Sequence, residues 1–99
     1  MRLSDKQLRF LRGRAHVLKA VIHIGHNGLG AGVLDETRHA LADHELIKLR
    51  IQATDRAARD ALLAELVRET GSALVTRIGH VAVLFKAHAK LTRIPLPDA

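Results

Sequence analysis

Apolar residues recur along this chain with two periods, and the switches between them mark out seven elements. Leu8, Leu11 and Ala15 follow at helical spacing, and Ser4-Asp5-Lys6-Gln7 has the S-x-x-Q form of a capping box, so a helix is predicted to begin at Ser4. Ala20 to Ile24 is a short β-branched run of strand length that ends at the breaker cluster Gly25-His26-Asn27-Gly28. Beyond it Val33, Leu34, Thr37 and Leu41 return to a helical period, with Asp35, Glu36, Arg38 and Asp43 on the outer side. Leu46 to Gln52 alternates, placing Ile47, Leu49 and Ile51 on one face of a strand and Lys48, Arg50 and Gln52 on the other. Thr54-Asp55 can cap a third helix whose stripe is Leu62, Leu63, Leu66 and Val67 and whose end is Gly71. Ala73 to Ile78 and Val81 to Lys86 read as two strands joined by Gly79-His80, a pair suited to a type II′ turn. From Ala87 on, Pro95 and Pro97 predict a basic, loose tail.

This pattern predicts the α/β class, with a single domain in the order α-β-α-β-α-β-β and helices packed on a four-stranded sheet. Strands separated by helices favour parallel neighbours, while the closing hairpin forces an antiparallel pair, so the sheet is expected to be mixed. Ninety-nine residues leave room for one core, which the sequence places at about residues 3–86, with 87–99 as the tail.

Charge adds a direction to this frame. The chain carries a formal +6, and residues 1–24 alone hold six basic residues against one acidic one, so the N-terminal quarter is the positive pole. A polyanion, nucleic acid before an anionic membrane, is the expected partner. With no Trp, no Tyr and two Phe, base stacking on an aromatic platform is excluded as the main mode of contact, which leaves the phosphates. The absence of Cys removes disulfides and thiolate metal sites, and no leader or membrane span is visible; a reducing, cytoplasmic location is expected.

Candidate chemistry is sparse. The seven His include no pair at metal-ligand spacing on one helix, so no metal is expected. The carboxylates are scattered over helix exteriors and Ser4 and Ser72 read as cap and turn residues, so neither an enzyme nor a cofactor or small-molecule substrate is indicated. Gly28-Leu29-Gly30-Ala31-Gly32 lacks the last glycine of a dinucleotide fingerprint, and Ala31 stands where a P-loop needs Lys. Gly25-His26-Asn27-Gly28 is more informative: two glycines can expose main-chain N–H groups before a helix N-terminus, as in G-x-x-G loops that hold a nucleic-acid backbone, although the same residues also make a plain strand-to-helix turn. Arg9, Arg12, Arg14 and Lys19 form a basic stripe leading to that loop. A second positive area is expected from Lys48, Arg50, Arg77 and Lys86 on the open side of the sheet.

The run from Leu18 to Leu29, followed by Gly32-Val33-Leu34 and His44-Glu45-Leu46-Ile47-Lys48, resembles the CRM (chloroplast RNA splicing and ribosome maturation) domain, and the chain looks like the bacterial single-domain YhbY-type members. Arg68-Glu69-Thr70-Gly71 and Ile78 to Phe85 fall where that family has its third-helix end and last hairpin. The resemblance implies a fold similar to the C-terminal domain of bacterial translation initiation factor three. It also implies RNA binding through Gly25, His26, Asn27 and Gly28 with Lys19 and neighbouring basic residues, and association with precursors of the large ribosomal subunit. Ala20 stands where many members have Pro, and His26 where many have Lys or Arg, which makes the charge of this loop depend on pH. The oligomeric state is not legible, and two other readings stand beside RNA binding: docking of the basic face on an acidic protein, and binding to duplex DNA.

Overall fold

The computed structural model describes residues 2–25, 28–52, 55–88 and 94–98. Its elements are α1 (Asp5–Ala15), β1 (Ala20–Ile24), α2 (Ala31–His44), β2 (Leu46–Ile51), α3 (Arg56–Thr70), β3 (Ala73–Ile78) and β4 (Val81–Phe85). The punctuation behaves as its chemistry requires. Ser4 accepts from the Gln7 N–H while the Gln7 side chain accepts from the Ser4 N–H, closing a capping box at α1. Asp55 caps α3 by accepting from the Ala58 N–H at 2.8 Å, and Gly71 ends that helix in the left-handed region at φ 68°. Gly79 turns the β3–β4 hairpin at φ 59°.

The sheet has the order β1-β2-β4-β3, with β1 and β2 parallel and the other neighbours antiparallel, so it is mixed. It separates two cores. On one face α2 and α3 cover Ile22, Ile24, Ile47, Leu49, Ile51, Ala82 and Leu84; on the other, Leu11 and Ala15 of α1 pack on Leu46, Val75, Val83 and Phe85.

The tail departs from expectation. Ile94 is buried in the α1-side core, Leu96 packs against it, and the Pro97 carbonyl accepts a hydrogen bond from the Gln7 side chain at 3.0 Å. Glu45, fully buried between α2 and β2, accepts from the main-chain N–H groups of His88 and Ile94. The two prolines therefore do not leave residues 94–98 loose: Ile94 and Leu96, alternating with Pro95 and Pro97, supply apolar anchors that outweigh the turn signal.

Candidate nucleic-acid interface

Cross-strand register decides which basic residues share a surface. On the α1 side the residues stand in rows across the sheet. Leu46, Phe85 and Ala73 form one row beneath α1; Ala20, Lys48, Val83 and Thr76 form the next at its margin; His23, Arg50, Val81 and Ile78 form the last. This last row is not covered: Ile78 is 76% exposed, His23 and Arg50 are exposed, and Val21 beside them is 45% exposed.

Two chain connections border the uncovered row. Gln52 N–H donates to the Ile24 carbonyl at 2.8 Å, which holds the end of β2 against the start of the glycine loop. Ile51 N–H donates to the His80 carbonyl at 2.8 Å, and His80 Nδ1 lies 2.9 Å from the Ile51 carbonyl, so the hairpin turn is tied to the same end of β2. A carbonyl only accepts, so His80 Nδ1 carries the proton in this contact. The glycine loop and the hairpin thus flank one end of the sheet.

Within the loop, Gly28 N–H donates to the Gly25 carbonyl at 3.2 Å and Gly28 adopts φ 73°. A Cβ at Gly28 would sit 3.7 Å from Leu62 of α3, whereas one at Gly25 would meet nothing within 4 Å. Gly28 therefore serves the turn, and Gly25 leaves the main chain open to approach. His26 and Asn27, two of the expected contact residues, lie outside the described residues. Beyond the loop Gly30 is the N-cap of α2, which has no side-chain cap and no acidic residue in its first turn, and this leaves its positive end unneutralised locally.

The expected basic positions divide between two clefts that share Lys48. A cleft of about 150 Å³ at the edge of the uncovered row is lined by Arg12 and His16 from the end of α1, Lys48 from β2, and Thr76, Ile78 and Val81 from the hairpin. A larger one, about 410 Å³, lies at the other side of Lys48 and includes Arg14, Leu18, Lys19 and Val21. The Arg14 guanidinium is held over the Phe10 ring, 5.8 Å from its centroid. Arg9 is exposed on α1 and lines neither cleft. The helix stripe and the sheet face are thus not two separate positive surfaces: Arg12 belongs with Lys48.

The sheet-face expectation is also corrected. Arg77 lies opposite Ala82, on the side covered by α2 and α3, where it meets Asp60 at 2.7 Å and donates to the Gly79 carbonyl. Lys86 points to the end of α3 and donates to the Thr70 carbonyl at 2.9 Å. Both cations are spent on the fold, leaving Lys48 and Arg50. Among the described residues no group of three or more His, Asp or Glu converges to hold a metal ion, and no helix is long and apolar enough to cross a membrane.

A sheet with one uncovered, basic and partly aliphatic end beside a glycine loop defines a small α/β binding module. The chain belongs to the CRS1/YhbY (CRM) domain family, whose model matches residues 3–86. It is 44% identical over 95 residues to an RNA-binding protein of Haemophilus influenzae, covering 96% of this chain and 95% of the relative. It is 40% identical over 90 residues to a protein of Pseudomonas aeruginosa named a probable RNA-binding protein, covering 91% and 86%. The fold is similar to that of a hypothetical protein of Staphylococcus aureus solved in solution, with a TM-score of 0.83, 29% identity, and coverage of 97% of this chain and all of that one.

Proposed function

We propose that this domain binds RNA, with the phosphate backbone lying across the Gly25–Gly28 loop and the uncovered row of the sheet, and that the RNA is ribosomal, in precursors of the large subunit. The observation that carries the reading is that Arg12 and Lys48 share one cleft beside the uncovered row that holds Arg50, at the sheet end bordered by the glycine loop. Arg14 and Lys19 extend that charge along the larger cleft, and the names of the relatives agree with an RNA ligand. The ribosomal assignment rests on the resemblance to the family. No step of this reading calls for catalysis or a cofactor: cations and open main chain hold phosphates, and shape does the rest.

Titration of a single-stranded RNA over a range of salt tests the mode of binding. Four to six phosphate contacts predict a slope of about −3 to −4 in log affinity against log salt, at about −0.7 per contact for single strands. A slope near zero would transfer the basic face to an acidic protein partner. Sedimentation of a lysate tests the ribosomal assignment: the protein is expected with large-subunit precursor particles, and its confinement to ribosome-free fractions would overturn that assignment.

A further inference from the structure

The larger cleft differs in make-up from the rest of the basic surface. It opens where the end of α1, the start of β1, the end of α2 and residue 94 of the tail meet, and its volume of about 410 Å³ falls within the ~300–1,000 Å³ span of small-molecule sites. Leu18, Val21, Leu46 and Ile94 supply an apolar part, and Arg14, Lys19 and Lys48 a cationic rim. A surface meant only for phosphates has no use for that apolar recess, and a purely apolar recess has no use for three cations. Asp43 and His44 complete the α2 side of the lining. Among the described lining residues, Asp43, His44 and the three cations are the groups that could meet a base edge.

From this composition we infer that the cleft receives one unpaired nucleotide of the bound RNA, its base against Leu18, Val21, Leu46 and Ile94 and its phosphates on the rim. The inference rests on the reading of the domain as an RNA binder and deepens it, because it names the substrate class: RNA that presents an unpaired nucleotide. Charge complementarity selects a nucleotide over an apolar peptide side chain, since three cations line the cleft against the single carboxylate of Asp43 among the described residues. The position fits a continuous strand. β1 joins the cleft at Lys19 and Val21 to the glycine loop at Gly25, and its five residues span about 17 Å, a length that a few nucleotides of extended strand can follow.

The test uses the intact protein and three short RNA hairpins: one fully paired, one with a single bulged uridine, and one with an abasic residue at the bulge. The last two carry the same number of phosphates, so their affinity ratio isolates the base. The uridine bulge is expected to bind about fivefold to tenfold more tightly than the abasic one. In Val21→Glu, which places a carboxylate at an exposed position of the cleft, that ratio should fall to one while the abasic hairpin reports any general loss of affinity; Val21→Thr, nearly isosteric, should reduce the ratio less and guards against misfolding of the first variant. Equal binding of all three hairpins by the unaltered protein would overturn the nucleotide site and leave RNA binding intact. Binding of none would overturn the functional reading itself, and a ratio unchanged in Val21→Glu would place the base elsewhere.

Discussion

The buried carboxylate of Glu45 accepts the main-chain N–H of Ile94 at 3.1 Å, joining the α2–β2 junction to a residue 49 positions later. Its other oxygen accepts from the His88 N–H, and its own carbonyl accepts from Lys86 N–H at 2.8 Å. Glu45 does this at φ 62° and ψ −43°, a positive-φ conformation outside the left-handed helical well that costs a non-glycine residue on the order of 1–3 kcal/mol. Glycine would relieve the backbone here and lose the clamp, so the side chain offsets the strain it causes.

Glu45→Gln replaces one acceptor oxygen with an NH₂ that faces an N–H, and Glu45→Ala removes both acceptors. A loss of about 1–3 kcal/mol is expected for each buried donor left unsatisfied, so Ala should cost more than Gln. Urea denaturation measures the total. Faster hydrogen exchange at the Ile94 amide, with the β4 amides still protected, would assign the loss to the tail.

The shared cleft at Lys48 predicts which charges matter to RNA. Arg12→Gln with Lys48→Gln should lower affinity at least tenfold and flatten the salt slope by about 1.4, two contacts at about 0.7 each. Arg56→Gln with Arg68→Gln, on exposed positions of α3, removes the same charge and should cost little beyond a general electrostatic loss. Stability should change by no more than about 0.5 kcal/mol in either pair, as for surface substitutions. Equal losses of affinity would mean that net charge alone governs binding.

The two loop glycines should separate fold from function. Gly28→Val forces a β-branched residue to φ 73° and is expected to destabilise the domain by about 1–2 kcal/mol or more, whatever it does to RNA. Gly25→Val meets open space at ordinary φ, so its melting temperature should hardly move while RNA affinity falls. Unchanged affinity in Gly25→Val would remove the loop from the interface.

Lys86→Met supplies the converse. Deleting its bond to the Thr70 carbonyl should cost about 0.5–1.5 kcal/mol of stability, read by chemical denaturation, and leave RNA affinity within twofold apart from the lost net charge. A loss as large as that of the Arg12 and Lys48 pair would bring the α2–α3 side into the interface.

Local chemistry carried most of the architecture. Ser4 and Gln7, Asp55 and Gly71 announce the helix ends that the structure has, and the β-branched runs announce the strands. What could not be read was side-chain facing, and β3 shows why. Strict alternation puts Arg77 on the same face as Val75, the α1 side, together with Lys48 and Arg50. An irregularity in pairing between Leu74 and Thr76 shifts the later residues, so that Arg77 turns to the other face and finds Asp60. A bulge leaves no mark in composition. Lys86 was legible in principle, because alternation along β4 groups it with Ala82 and Leu84 rather than with Val83 and Phe85. Neither Arg12 beside Lys48 nor the cleft they share could be seen without knowing where the end of α1 comes to rest on the sheet.

The hydrogen bond from Gln7 to Pro97 brings the beginning and the end of the described fold to one point on the α1 side. The cleft shared by Arg12 and Lys48 lies at the other end of α1, about 12 Å along the helix axis from its first turn. Chain entering and chain leaving are therefore neighbours. Such a module can be grafted into another protein through two connectors that start from one point, and the departing connector follows a segment whose Ile94 already lines the larger cleft.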